Sequence, residues 1–125
     1  MPVKEMKGIK AKLSRAAALL LLLCVVLMAQ QKPTIKSTVS KLKSGEILYV
    51  TGTGFTPDRA VVSHMLRPDK SEYNPLRLRA NANGELVHKI DTVMLDIGTF
   101  EVWVEDEASK TTSNRIQFSV EPDLH

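Results

Sequence analysis

Residues 50–62, VTGTGFTPDRAVV, place two glycines one position apart between two apolar runs and follow them with a phenylalanine and a proline. Gly52 and Gly54 end the run before them, because glycine admits backbone conformations that a side chain forbids. Phe55 is then positioned to turn back and plug the open end of a core. Pro57 fixes φ and Asp58 can bond nearby backbone amides, so the chain is redirected before the next run begins at Ala60. A phosphate-cradling loop needs a Lys-Ser/Thr ending and a following helix, and neither is present. The stretch reads as a connection between two β-strands with a core plug.

Outward from it, the chain has no helical period. It consists of short runs rich in Val, Ile, Thr, Phe and Tyr, separated by Gly, Asn, Asp, Ser and Pro. The predicted strands are 34–39, 46–51, 60–67, 76–80, 85–90, 99–104 and 114–120. Ile35 and Val39 share a face in the first. The second is apolar on both faces, which suits an interior strand. The third has no register fixed by its pattern. In the fourth, Leu76, Leu78 and Ala80 face one way and Arg77 and Arg79 the other. Asn83-Gly84 predicts a tight hairpin into the fifth, because both residues accept the positive φ such a turn requires. Phe100, Val102 and Val104, then Ile116, Phe118 and Val120, point inward in the last two strands, leaving Glu101 and Trp103 outward. The acidic stretch 105–110, EDEASK, is read as the turn between them. Seven strands at this spacing predict a two-sheet antiparallel sandwich.

The N-terminal segment has a different composition. Lys4, Lys7, Lys10, Lys12 and Arg15 precede residues 16–29, an unbroken run of Ala, Leu, Val, Met and Cys24. A basic segment followed by about 14 apolar residues matches a secretory signal and falls short of the ~20 that span hydrocarbon. Cleavage is expected after Ala29. The alternatives are retention of residues 16–29 as a membrane anchor, and lipidation at Cys24, against which the bulky Leu23 counts. The expected organisation is a signal or anchor over 1–29, a polar lead over 30–33, the sandwich over 34–121 and a tail over 122–125. Five of the 17 basic residues and one of the 14 acidic ones precede Ala16, leaving 12 and 13 beyond it and a net charge of −1. The overall basicity therefore belongs to the leader and gives no support to nucleic-acid binding. Cys24 is the only cysteine, so the remaining chain, about 95 residues, holds together by packing without a disulfide.

GEILYVTGTGFTPD (45–58), ANANGEL (80–86) and IGTFEVWVEDEASKTTSNRIQFSV (97–120) together resemble the bacterial immunoglobulin-like domains of exported and cell-surface proteins, especially the IPT/TIG-like type. The resemblance runs over residues 33–120 and rests on core and turn positions. Gly52, Gly54, Phe55 and Pro57 match its plug, and Asn83 and Gly84 its turn. It implies a single immunoglobulin-like antiparallel β-sandwich of about seven strands, preceded here by an N-terminal signal helix. The expected function is an exported, non-catalytic module, secreted or periplasmic, that binds a protein or glycan partner. The alternative is a structural envelope module tethered through residues 16–29. A small-ligand carrier resembling the chromophore-binding immunoglobulin-like apoproteins would usually have disulfides, which this chain lacks.

Few residues point to chemistry. His64 and His88 fall in different predicted strands and no metal-ligand spacing joins them. His88 shares a face with Leu86 and Ile90, so it is read as a half-buried histidine with a hydrogen-bond partner. Ser63 and His64 are adjacent in a strand and point to opposite faces, so they form no nucleophile and base pair. Glu105, Asp106 and Glu107 lack the ladder of a calcium loop and read as a solvated turn. No catalytic residue, cofactor or metal is assigned. Trp103 is an outward aromatic, covered by an arginine such as Arg77 or Arg79 if their strand is adjacent. With Tyr73 and those arginines it forms the candidate partner surface. Free edge strands add a route to self-association.

Overall fold

A computed structural model describes residues 32–124. The signal helix, the cleavage point after Ala29 and Cys24 lie outside the described residues. Within them the strands are β1 Thr34–Ser37, β2 Lys41–Lys43, β3 Ile47–Thr53, β4 Ala60–Leu66, β5 Leu76–Arg79, β6 Leu86–Asp91, β7 Gly98–Asp106, β8 Thr111–Thr112 and β9 Ile116–Glu121, with a 3-10 turn at Thr92–Met94. One sheet has the order β1-β3-β6. The other runs β2-β9-β7-β4-β5, with β8 paired to β7. Pairing of β3 with β6 in one sheet and of β4, β7 and β9 in the other is the arrangement of an immunoglobulin-like sandwich.

Period-two alternation builds the core. Leu86, His88 and Ile90 of β6 are buried in turn, as are Phe100, Val102, Val104 and Asp106 of β7. Phe100 stacks on Phe118 with ring centroids 5.2 Å apart, and Leu48 and Val50 are fully buried with them. Each such side chain contributes roughly 1.5–3 kcal/mol. The second predicted strand is indeed interior to its sheet, between β1 and β6. Its Ile47 and Tyr49 are nonetheless exposed.

The plug is present with a different division of labour. Phe55 is buried and Gly54, at φ +82°, follows the strand. Gly52 does not end β3. It lies inside it, paired with Ile35 on one side and Leu86 on the other. What it supplies is clearance, since a Cβ there would lie 2.6 Å from Phe55 Cε2. Pro57 and Asp58 turn the chain as expected: Asp58 takes φ +58°, and the Arg59 amide donates to the Thr56 carbonyl at 3.3 Å.

Several expectations are corrected. Asn83-Gly84 makes no hairpin, because β5 and β6 belong to different sheets. Only Gly84 takes a positive φ there. The Asn81 side chain closes the turn instead, accepting from the Asn83 amide at 3.0 Å and the Glu85 amide at 2.8 Å. The first strand stops at Ser37, and Val39, expected to share a face with Ile35, is exposed while Ile35 is buried. The chain crosses there to the second sheet, where Leu42 of β2 enters the core. That three-residue strand runs parallel to β9, so the sandwich is not wholly antiparallel. Leu76 is half exposed because it lies on the terminal strand of its sheet.

Candidate functional site

The outer face of the six-stranded sheet carries an ordered row of side chains. In the β4–β7 register His64 lies opposite Trp103, and their rings stack in near-parallel planes with centroids 5.2 Å apart. From the β9 side of β7, the Arg115 guanidinium lies 4.0 Å from the Trp103 ring centroid. Because β4 and β9 flank β7, each face of the indole is covered by a different neighbour. Carboxylates fix the flanks of the row. His64 Nδ1 lies 2.6 Å from Glu72 Oε1 and its Nε2 3.6 Å from Glu105 Oε2. Arg115 lies 3.6 Å from Glu101. A guanidinium over an exposed aromatic contributes roughly 0.5–1 kcal/mol. The arrangement therefore fixes orientation more than it adds stability.

An arginine covers Trp103 as expected, but it is neither Arg77 nor Arg79. Strand β4 separates β5 from β7, and Arg77 instead donates to Glu107 at 3.0 Å. Arg79 lines a shallow groove with Arg59 and Arg77 at the end of the sheet. Tyr73 is not beside Trp103. It packs on Phe100 at 6.4 Å, capped by Arg67 at 3.8 Å from its ring centroid. The candidate surface thus divides into the Trp103 row, the β5 arginines and a tyrosine that closes one end of the core.

Inside the sandwich, Ser63 Oγ lies 3.2 Å from His88 Nδ1, and both residues are buried. The pair joins β4 of one sheet to β6 of the other and satisfies two polar groups that an apolar core would otherwise strand. His64 and His88 lie on different faces and cannot share a metal. Beside the pair, a cleft of about 290 Å³ opens between the β5 and β6 edges, lined by Met65, Tyr73, Leu76, Ile90 and Leu95 among others. Burial holds His88 below its ordinary value of 6.5, so the folded chain takes that proton less readily than the unfolded one. Stability is therefore expected to fall as pH drops below about 6.5, down to the lowered folded value. Urea unfolding midpoints across that range should lose this slope in His88→Gln; an unchanged slope would assign it elsewhere.

The acidic stretch is also corrected. Asp106 is not in a solvated turn but is buried at the end of β7, where it accepts from both the amide and the hydroxyl of Thr56 at 2.8 Å. The turn begins after it. Among the described residues, no group of three or more His, Cys, Asp or Glu side chains is placed to hold a metal ion.

No protein-family model matches the sequence, and no curated protein matches it. Among solved structures, it is similar to the CARDB domain of a Pyrococcus furiosus protein, described in complex with di-metal ions. The match has 12% identity and a TM-score of 0.44, over 72% of this chain and 86% of that one. It is also similar to the PKD domain of a peptidase from a Thermoplasmatales archaeon, at 12% identity and a TM-score of 0.42, over 74% and 94% of the two chains. Likenesses this distant carry no information on what the chain binds.

Proposed function

We propose that the chain is an exported, non-catalytic immunoglobulin-like module that binds a protein or glycan partner with the outer face of its six-stranded sheet. The observation that carries this reading is the Arg115–Trp103–His64 row, held on both flanks by carboxylates. A partner meeting side chains already fixed by stacking and ion pairs pays little ordering entropy. The indole, covered on its faces, offers its edge beside the hydrogen-bond donors of the guanidinium. The basic segment and apolar run over 1–29 support export to a secreted or periplasmic location.

Two measurements test the reading. Intact mass after fractionating native cells is expected to give a soluble species beginning at Gln30. A membrane-bound species, full-length or acylated at Cys24, would favour the tethered structural module. On a glycan array and a panel of surface proteins, Trp103→Ala is expected to weaken binding at least about tenfold while leaving the fold intact. Undiminished binding to every partner found would remove the row from the function.

A further inference from the structure

The free edge of β5 has features that select a partner. β5 ends its sheet, and its sequence over Leu76–Arg79, LRLR, alternates between its two faces. The Ala80 amide donates to the Arg59 carbonyl at 3.0 Å, in continuation of the register that sets Arg79 opposite Ala60 and Arg77 opposite Val62. Hydrogen-bonded and non-bonded pairs alternate in an antiparallel ladder. Arg79 and Arg77 are therefore non-bonded partners of β4, and their backbone N–H and C=O groups point to the open edge. The Glu107 amide donating to the Ala60 carbonyl on the other side of β4 fits the same phase. The two residues with unpaired backbone groups are thus the same two that carry cations. Arg59 lies beside them in the groove, and neither it nor Arg79 has an ion-pair partner among the described residues.

We propose that β5 accepts an extended acidic segment of another protein as an added antiparallel strand. Its carboxylates would occupy alternate positions opposite Arg77 and Arg79, and its intervening apolar residues would lie beside Leu76 and Leu78. Backbone pairing supplies the attachment and the arginines the specificity, through charge-assisted hydrogen bonds of forked geometry. A second copy of this chain is disfavoured at the same edge, because antiparallel self-pairing about Leu78 sets Arg77 against Arg79. The proposal rests on the reading of the domain as a binding module, and it uses the β5 edge rather than the Trp103 row.

The test uses the full-length chain and a capped peptide, Glu-Val-Glu-Val-Glu, with Lys-Val-Lys-Val-Lys and polygalacturonate as comparisons. Saturable binding of the acidic peptide is expected, with slowed hydrogen exchange at the Arg77 and Arg79 amides. The doubly substituted Arg77→Glu, Arg79→Glu chain should bind it at least about tenfold more weakly, with its thermal midpoint lowered only slightly, because both side chains are exposed and the Arg77–Glu107 ion pair it gives up is a surface one. Absence of saturation, equal binding of the lysine peptide, or binding of either acidic probe without protection at those two amides would overturn strand addition. Trp103→Ala should leave peptide binding unchanged, so failure here is distinguishable from failure of the Trp103 surface.

Discussion

Phe55→Ala is expected to lower the unfolding free energy by about 4 kcal/mol, which is a large part of the ~5–15 kcal/mol available to a domain of this size. Phe55 is buried and joins two motifs that lie far apart in the sequence. Its amide donates to the Gly84 carbonyl at 3.1 Å, and Gly84, at φ +72°, sits so close that a Cβ there would collide with the Phe55 carbonyl oxygen. The aromatic ring lies over Gly52, where a Cβ would be 2.6 Å from its edge and 3.1 Å from Ile35 Cγ2. Gly52→Ala alone is therefore expected to cost about 1–3 kcal/mol through overpacking. With the ring removed, the same methyl group gains room, and its cost should drop below about 1 kcal/mol. Urea unfolding of the two single variants and the double variant measures this coupling. Strict additivity would show that Gly52 is needed for something other than clearance under the ring.

These contacts show where sequence legibility stops. Alternation tells which face of a strand a residue occupies, so Phe100, Val102, Val104, Phe118 and Val120 are found inward as their spacing indicates. It does not tell which strand lies alongside. The cover over Trp103 depends on β9 and β4 flanking β7, and a sequence without sheet order cannot choose Arg115 over Arg77 or Arg79. Ser63 and His88 are a similar case: period two places His88 with Leu86 and Ile90, the pattern of 60–67 fixes no face for Ser63, and their meeting requires two sheets to be stacked. The hairpin expectation failed for a related reason, since Asn-Gly signals a turn and not whether the strands it joins pair. β2 was invisible because three residues with a single inward Leu42 make no pattern. Asp106 is a case of another kind. Alternation through Phe100, Val102 and Val104 already places position 106 inward, and the acidic composition of 105–107 obscured it.

Asp106→Ala is expected to destabilise the domain by about 3 kcal/mol at neutral pH, the scale of losing hydrogen bonds to a buried charge. The carboxylate accepts from the Thr56 amide and hydroxyl at 2.8 Å and from the Ala108 amide at 3.3 Å. It thereby ties the plug loop to the end of β7, next to the Glu107 that holds Arg77. Burial pushes this carboxyl up, but the bonds from Thr56, Ser109 and Ala108 outweigh it and hold the group below its ordinary 3.8. A carboxyl depressed in the fold contributes stability that is present above about 3.8 and is lost as pH falls through the folded value. The gap between wild type and Asp106→Ala should accordingly be widest at neutral pH and close under acid, in a window separate from that of His88. Unfolding both chains in urea from neutral pH to about pH 2 reads the two windows apart. A gap that stays constant into acid would mean that Asp106 acts through shape and packing, and that its charge contributes nothing to holding the loop.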